Sequence, residues 1–191
     1  MQNKYIRAIL DSHNEFRVEV DFIVLDIMAF GIDAKLDTGC TYTFIPLKTV
    51  GGLSNTELKQ QKQQDLLDNS IHKNMSRGIE TGNKRILKPK NLSEAMQEEH
   101  YIFKHTLQNF CLCGIPFGDI KANLSYDFNG NILIGMDIMK NWDIHIGTNK
   151  QGETVFLGCP YNMLNQEYYL ALENEFEIQQ NINAAIINNN F

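Results

Sequence analysis

The sequence predicts an all-β fold, a closed barrel of short strands, on two observations. Residues 16–22 alternate apolar and polar side chains, and the same period of two recurs at residues 32–36 and 142–146. Turn residues such as Asn129-Gly130 separate these short segments. Many short strands with little helix are typical of a closed β-barrel, because closure leaves no strand edge unpaired.

Length and composition narrow the possible functions. The chain has 191 residues, of which 43% are hydrophobic, enough for one packed core. Its formal net charge is -6 with no long basic block, which argues against nucleic-acid binding. No apolar run is long enough for a transmembrane helix, and residues 1–7 do not resemble a signal peptide. We therefore expect a cytoplasmic protein without a membrane or nucleic-acid partner.

Cysteine and histidine spacing does not predict a metal site. Cys111 and Cys113 are separated by a single residue, which is not the spacing of a zinc knuckle or a redox pair. The five histidines lack ligand spacing on one element. We expect reduced, mostly buried thiols, structural histidines, no metal ion and no cofactor.

The strands of the first half are predicted from local periodicity. They fall at residues 5–10, 16–28, 32–36 and 44–46. We expect the long second strand to turn back at Ala29-Phe30-Gly31. The third strand then delivers Asp37 into a turn.

Residues 51–75 predict a solvent-facing helix that lies on the barrel. Gly51-Gly52 interrupts the chain, and Ser54 or Asn55 can cap a helix with Glu57 in its first turn. The helix is almost entirely polar, so its contacts with a core would come from Leu58, Leu66 and Leu67. A shorter capped helix is predicted at residues 91–99, and a hairpin at 76–90 with its turn at Gly82-Asn83.

The second half predicts further strands and a final helix. The strands fall at residues 101–103, 107–113, 119–124, 132–135, 142–146 and 154–157, with a turn or loop at 114–118. After Cys159-Pro160, apolar residues recur every four positions, which predicts a helix; they are Leu164, Tyr168, Leu172 and Phe176. We divide the chain into a barrel domain, residues 1–160, and a C-terminal helical extension, residues 161–191.

The segment Leu36-Asp37-Thr38-Gly39-Cys40 is the strongest candidate for chemistry. A strand delivers the Asp37 carboxylate into a turn, where Thr38 can donate a local hydrogen bond and Gly39 allows another backbone to approach. A carboxylate held there by backbone amides is a candidate acid or base. About a hundred residues later, Ile132-Leu133-Ile134-Gly135 forms an apolar strand that ends in glycine.

These two motifs resemble those of retropepsin-like aspartic proteases, the single-lobed family that includes retroviral proteases and bacterial relatives. In that family an Asp-Thr-Gly loop is crossed by a later strand with two apolar residues followed by glycine. The resemblance covers residues 16–157 and implies a closed, six-stranded acid-protease barrel of one lobe. It also implies a flap that closes over bound peptide, which we assign to Thr81, Gly82 and Asn83; an ordinary surface hairpin is the alternative for this segment. Cys40 stands where the family usually has alanine.

The resemblance implies an aspartic endopeptidase that works as a homodimer without a cofactor. Two carboxylates are needed, and the sequence contains a single Asp-Thr-Gly triplet. Asp37 of a second copy would supply the other, with Thr38 and Gly39 supporting each. Asp137 lies beyond the glycine-ended strand, and a helix cap is the simpler interpretation of it.

A non-enzymatic function is the alternative. The same barrel can serve as a catalytically silent dimerisation or peptide-binding module, because a fold does not fix a chemistry. Residues 51–99 and the C-terminal helix would then contact the partner. The intact Asp37-Thr38-Gly39 triplet favours the enzyme.

Overall fold

The computed structural model describes residues 4–75, 85–87 and 100–176, most of which lie in strands. The strands are β1 (Ile6–Ile9), β2 (Phe16–Val24), β3 (Ile27–Leu36), β4 (Phe44–Pro46), β5 (Arg85–Leu87), β6 (His100–Leu112), β7 (Ile115–Ser125), β8 (Ile132–Ile134), β9 (Trp142–Thr148) and β10 (Thr154–Pro160). The helices are α1 (Leu47–Val50), α2 (Asn55–Met75), α3 (Met136–Met139) and α4 (Gln166–Glu175). None of these helices has the length and apolar character required to cross a membrane.

A closed barrel of six strands dominates the larger of two compact units, Val18–Met139. The strand order is β2-β3-β8-β4-β7-β6, and β6 pairs back onto β2 to close the barrel. Two neighbouring pairs, β3 with β8 and β4 with β7, are parallel. This topology confirms the predicted all-β barrel.

Alternating side chains fill the barrel, as the period of two predicts. Val18, Val20, Phe22 and Val24 of β2 are all buried, while the residues between them are exposed or half-buried. Facing strands complete the core with Leu107, Phe110, Leu112, Leu124, Ile132 and Ile134. Burial of this alternating face selects one register for each strand.

Two turns differ from the sequence prediction. The chain reverses between β2 and β3 at Leu25-Asp26, where φ is 49° and 63°, and Gly31 lies inside β3. The N–H of Gly31 donates to Oδ1 of Asp21 (2.7 Å) across the pair. The predicted turn at residues 29–31 is therefore wrong. Positive φ at both central residues is typical of two-residue hairpin turns, and Leu-Asp is not a recognisable sequence signal for one.

The second corrected turn joins β6 to β7. Cys113 and Gly114 have φ of 48° and 78°, again a two-residue hairpin. Strand β7 begins immediately afterwards at Ile115, and Pro116 pairs with Cys111. The predicted loop at 114–118 is therefore mostly strand.

The insertion helix α2 forms as predicted. Ser54 N–H donates to Oε2 of Glu57 (2.7 Å), and Glu57 N–H donates to Oγ of Ser54 (3.3 Å), a reciprocal capping box. Leu58 is buried, as expected, whereas Leu67 is exposed. The other predicted features of this region, the 91–99 helix and the flap residues Thr81, Gly82 and Asn83, lie outside the described residues. Within the described part, β5 pairs antiparallel with the start of β6.

The second compact unit comprises Met1–Arg17 and Lys140–Phe191. Its three-stranded sheet has the order β1-β10-β9. Asn165 caps the N-terminus of helix α4, because its Oδ1 accepts the N–H of Tyr168 (3.1 Å). Tyr168 and Leu172 are buried against Leu157 and Cys159 of β10. The C-terminal helix thus packs on its own chain, and the proposed domain boundary at residue 160 stays a prediction.

Candidate active site

The turn that carries Asp37 begins where two parallel strands end together. Leu36, the last residue of β3, lies opposite Ile134, the last residue of β8. The N–H of Asp37 donates to the carbonyl of Ile134 (3.0 Å), which continues the strand pairing by one bond. The N–H of Cys40 then donates to the carbonyl of Asp37 (3.0 Å) and closes the turn. The barrel therefore fixes the backbone of Asp37 on both sides.

The side chain of Asp37 remains open to solvent on one side. Its Oδ1 accepts the N–H of Gly39 at 3.0 Å. The carboxylate is half-buried, and both Thr38 and Gly39 are exposed. A Cβ atom on residue 39 would lie 3.2 Å from Oδ1, so glycine leaves the carboxylate room to approach this N–H. The structure brings Asp37, Thr38 and Gly39 together in one accessible turn.

Gly135 lets the turn and the end of β8 cross at short range. A Cβ atom there would lie 2.6 Å from the carbonyl carbon of Tyr42 and 2.9 Å from the nitrogen of Thr43. Atoms at these distances overlap, so any larger residue would push the two segments apart. The crossing is held by Met136 N–H donating to the Cys40 carbonyl (2.8 Å) and by Asp137 N–H donating to the Thr41 carbonyl (3.1 Å).

Asp137 braces this crossing from within α3. Its Oδ1 accepts the Oγ1–H of Thr43 (2.8 Å), and the Thr43 N–H lies 2.9 and 3.0 Å from Oδ1 and Oδ2. Oδ1 also accepts the N–H of Ile138 (3.0 Å), and the N–H of Gly135 donates to Oγ1 of Thr43 (3.2 Å). Asp137 is thus a structural residue, as the sequence favoured, although it binds Thr43 across the site and does more than cap its own helix.

Thr43 is the site residue that sequence analysis missed. It is fully buried, and its partner Asp137 lies 94 residues away in the chain. Neither residue carries a local pattern that predicts such a contact. The parallel pairing of β4 with β7 places Thr43 there, since the N–H of Asn123 donates to its carbonyl (2.9 Å).

Cys40 and Tyr42 complete the turn. The thiol of Cys40 is half-buried and lies 3.0 Å from the carbonyl of Tyr42, to which it donates. The ammonium of Lys104 lies 5.6 Å from the centroid of the Tyr42 ring. A cavity of about 170 Å³ is lined by Tyr42 and Lys104, with Lys121 and Asn123 also in its wall. A redox role for Cys40 stays a hypothesis.

Comparison with known proteins finds similarity among solved structures only. No family model matches the sequence, and no curated protein matches it significantly. Among solved structures, the chain is similar to a retropepsin-like aspartic protease from Rickettsia conorii, with 13% sequence identity and a TM-score of 0.41. That alignment covers 81% of this chain and 92% of the other. Within residues 4–75, 85–87 and 100–176, no group of three His, Cys, Asp or Glu side chains is arranged to hold a metal ion.

Proposed function

We propose that this protein is an aspartic endopeptidase that hydrolyses peptide bonds as a homodimer, with Asp37 of each copy forming the catalytic dyad. The main support is that two carboxylates, Asp37 and Asp137, lie where the segment after β3 crosses the end of β8, and they differ in hydrogen bonding and exposure. Asp137 accepts hydrogen bonds from Thr43 and Ile138, and it cannot take part in proton transfer without losing them. Asp37 accepts a backbone N–H, stays half-exposed, and stands in the Asp-Thr-Gly motif of the resembling family.

The requirement for a dimer follows from the chemistry and the sequence together. Aspartic proteases need two carboxylates about 3 Å apart that share one proton, because two like charges so close cannot both ionise. The chain has no second Asp-Thr-Gly or Asp-Ser-Gly triplet. A two-fold axis beside the 37–39 turns would bring two copies of Asp37 together. Thr38 would donate across the axis, and Gly39 would permit the close approach.

The dyad would act as a coupled acid and base. The ionised carboxylate removes a proton from water, which attacks the carbonyl carbon of the scissile peptide bond. The protonated carboxyl donates to the carbonyl oxygen, which gives a tetrahedral diol. This intermediate collapses as its C–N bond breaks, a proton passes to the departing amine, and a carboxylic acid and an amine are released. Every atom comes from peptide and water, so no cofactor is needed.

The substrate would be an extended segment of a protein or peptide. Edge strands bind extended peptides through backbone hydrogen bonds, and side-chain pockets then provide selectivity. The cavity beside Tyr42 and Lys104 is one place where a substrate side chain could bind.

The decisive experiment compares Asp37→Asn with Asp33→Asn in a peptide-library cleavage assay from pH 3 to 8. Both variants lose one carboxylate on the same stretch of chain, and Asp33 is an exposed residue of β3. We expect Asp37→Asn to lose roughly 10²–10⁴-fold in rate, the range for removing an acid–base group, while Asp33→Asn keeps its activity. Equal cleavage by wild type and Asp37→Asn would refute the assignment.

A catalytically silent dimerisation or peptide-binding module would behave differently in the cleavage assay. A wild-type protein that forms a dimer by sedimentation and binds peptides, yet cleaves no member of the library at any pH, would favour the dimerisation or peptide-binding function.

A further inference from the structure

A cavity of about 300 Å³ lies between α2 and the barrel, within the unit Val18–Met139. One wall is a single face of α2, because its residues are spaced three or four apart: Asn55, Leu58, Lys59 and Lys62. The opposite wall comes from Lys48 of α1 and from Tyr126 and Asp127, which follow β7. The helix therefore covers the barrel without filling the space beneath its first turns.

The cavity wall carries a net positive charge. Three lysines contribute to it, against the single carboxylate of Asp127. The charge of the wall is therefore opposite in sign to that of the whole chain, whose formal net charge is -6. Such a concentration of one sign in a concave surface raises the local concentration of oppositely charged ligands.

Asp127 positions two of the three ammonium groups. Its Oδ2 accepts the ammonium of Lys62 at 2.5 Å, and its carbonyl accepts that of Lys48 at 3.1 Å. Lys62 is half-buried, so its long side chain is held by the wall. Lys59 is exposed at the rim. Fixed ammonium groups lose less conformational freedom when an anion binds, which favours binding.

The floor of the cavity is apolar. Tyr126 is fully buried, and its hydroxyl donates to Oδ2 of Asp65 (2.5 Å), which also contacts Nε2 of His105 (2.7 Å). The hydroxyl is therefore engaged beneath the floor, and the ring and Leu58 supply apolar surface above it. A ligand with both an anionic group and a flat or apolar part matches this wall.

We propose that this cavity binds the phosphate group of a small phosphorylated molecule, a function separate from peptide hydrolysis at Asp37. The cationic groups of the wall are three lysines. Lysine ammonium groups bind phosphate as compact charges, and each has three N–H donors for the phosphate oxygens. The cavity volume lies at the small end of the range for small-molecule sites, enough for a phosphate and a modest apolar group.

The test is calorimetric titration of the full chain with pyrophosphate and with inorganic phosphate at low ionic strength. The informative variant is Lys48→Gln with Lys59→Gln, which keeps the pair between Lys62 and Asp127. Lys140→Gln with Lys150→Gln is the matched control, because both lysines are exposed and neither lines the cavity. We expect wild type and the control to bind pyrophosphate equally, and the double variant to bind it roughly tenfold or more weakly.

Two further measurements keep the result interpretable. Lys59→Glu, compared with Lys140→Glu, reverses one rim charge and should weaken binding even if the double variant fails to fold. Asp37→Asn should bind pyrophosphate like wild type, which separates this site from the proposed active site. Absence of pyrophosphate binding by wild type at millimolar concentration, or equal binding by wild type and the folded lysine variants, would overturn the proposal.

Discussion

Replacing Thr43 by valine should destabilise the protein far more than the loss of one hydroxyl from an exposed position. Valine has nearly the same shape, so the change removes Oγ1 with little effect on packing. Two hydrogen bonds disappear: the one donated to Asp137 (2.8 Å) and the one accepted from the N–H of Gly135 (3.2 Å). Gly135 is buried, so its N–H loses its partner in a place where water cannot replace it.

The expected cost can be estimated from these two losses. A buried donor left unsatisfied costs about 1–3 kcal/mol, and a hydrogen bond to a charged group contributes about 1.5–3 kcal/mol. Because the two share one hydroxyl, we expect a total of about 2–4 kcal/mol in the free energy of unfolding. Urea unfolding followed by circular dichroism measures it, and an unchanged slope with a lower midpoint would show that native stability has fallen.

Thr41→Val is the matched control. It removes the same atoms two residues away, from an exposed side chain, so its effect should stay within about 0.5 kcal/mol. If Thr43→Val and Thr41→Val unfold at the same urea concentration, the hydrogen bonds through Thr43 do not stabilise the crossing, and the structural role given to Asp137 is wrong.

Three other predictions test separate parts of the structure. Gly135→Ala places a Cβ atom 2.6 Å from the Tyr42 backbone, so it should lower the melting temperature and reduce any peptidase activity; wild-type melting would contradict the close crossing. The hydrogen bond from Arg7 lowers the pKa of Glu175 below its ordinary 4.5, so the pair stabilises the fold above that pH and the effect disappears as pH falls through the lowered pKa. The stability difference between wild type and Glu175→Gln should therefore shrink from pH 6 to pH 3, and a constant difference would exclude this linkage. Desolvation raises the pKa of both the Cys113 and Cys159 thiols, that of Cys159 to about 11, but Cys159 is fully buried and Cys113 is exposed. Iodoacetamide at pH 8 should therefore label Cys113 well before Cys159, and peptide mass mapping measures the order; equal labelling rates would contradict the burial of Cys159.

Local patterns predicted the features that depend on local physics. Apolar and polar residues alternate in strand β2 because one of its faces is buried in the barrel, so the sequence alone predicts the strand. Tyr168 and Leu172 lie four residues apart in helix α4 because this spacing places both on the one buried face of the helix. The Asp37 turn was predictable from the sequence because an alternating strand leads into Asp-Thr-Gly.

Features that depend on long-range pairing were not predictable from one sequence. The bond between Thr43 and Asp137 exists because β4 lies between β8 and β7, an order that no local pattern encodes. Asp65 is buried in a polar helix because His105 and Tyr126 meet it there. The two-residue turn at Leu25-Asp26 lacks the Gly or Asn that normally indicates positive φ.

The most direct test of the proposed dyad is to mix wild type with Asp37→Asn in equal amounts at constant total concentration and allow subunits to exchange. If each active site needs Asp37 from two copies, random pairing leaves about a quarter of the dimers with both carboxylates, so activity should fall to about 25% of an all-wild-type sample. Activity that falls only to about half would mean that each chain works by itself, and it would contradict a catalytic site shared between two copies.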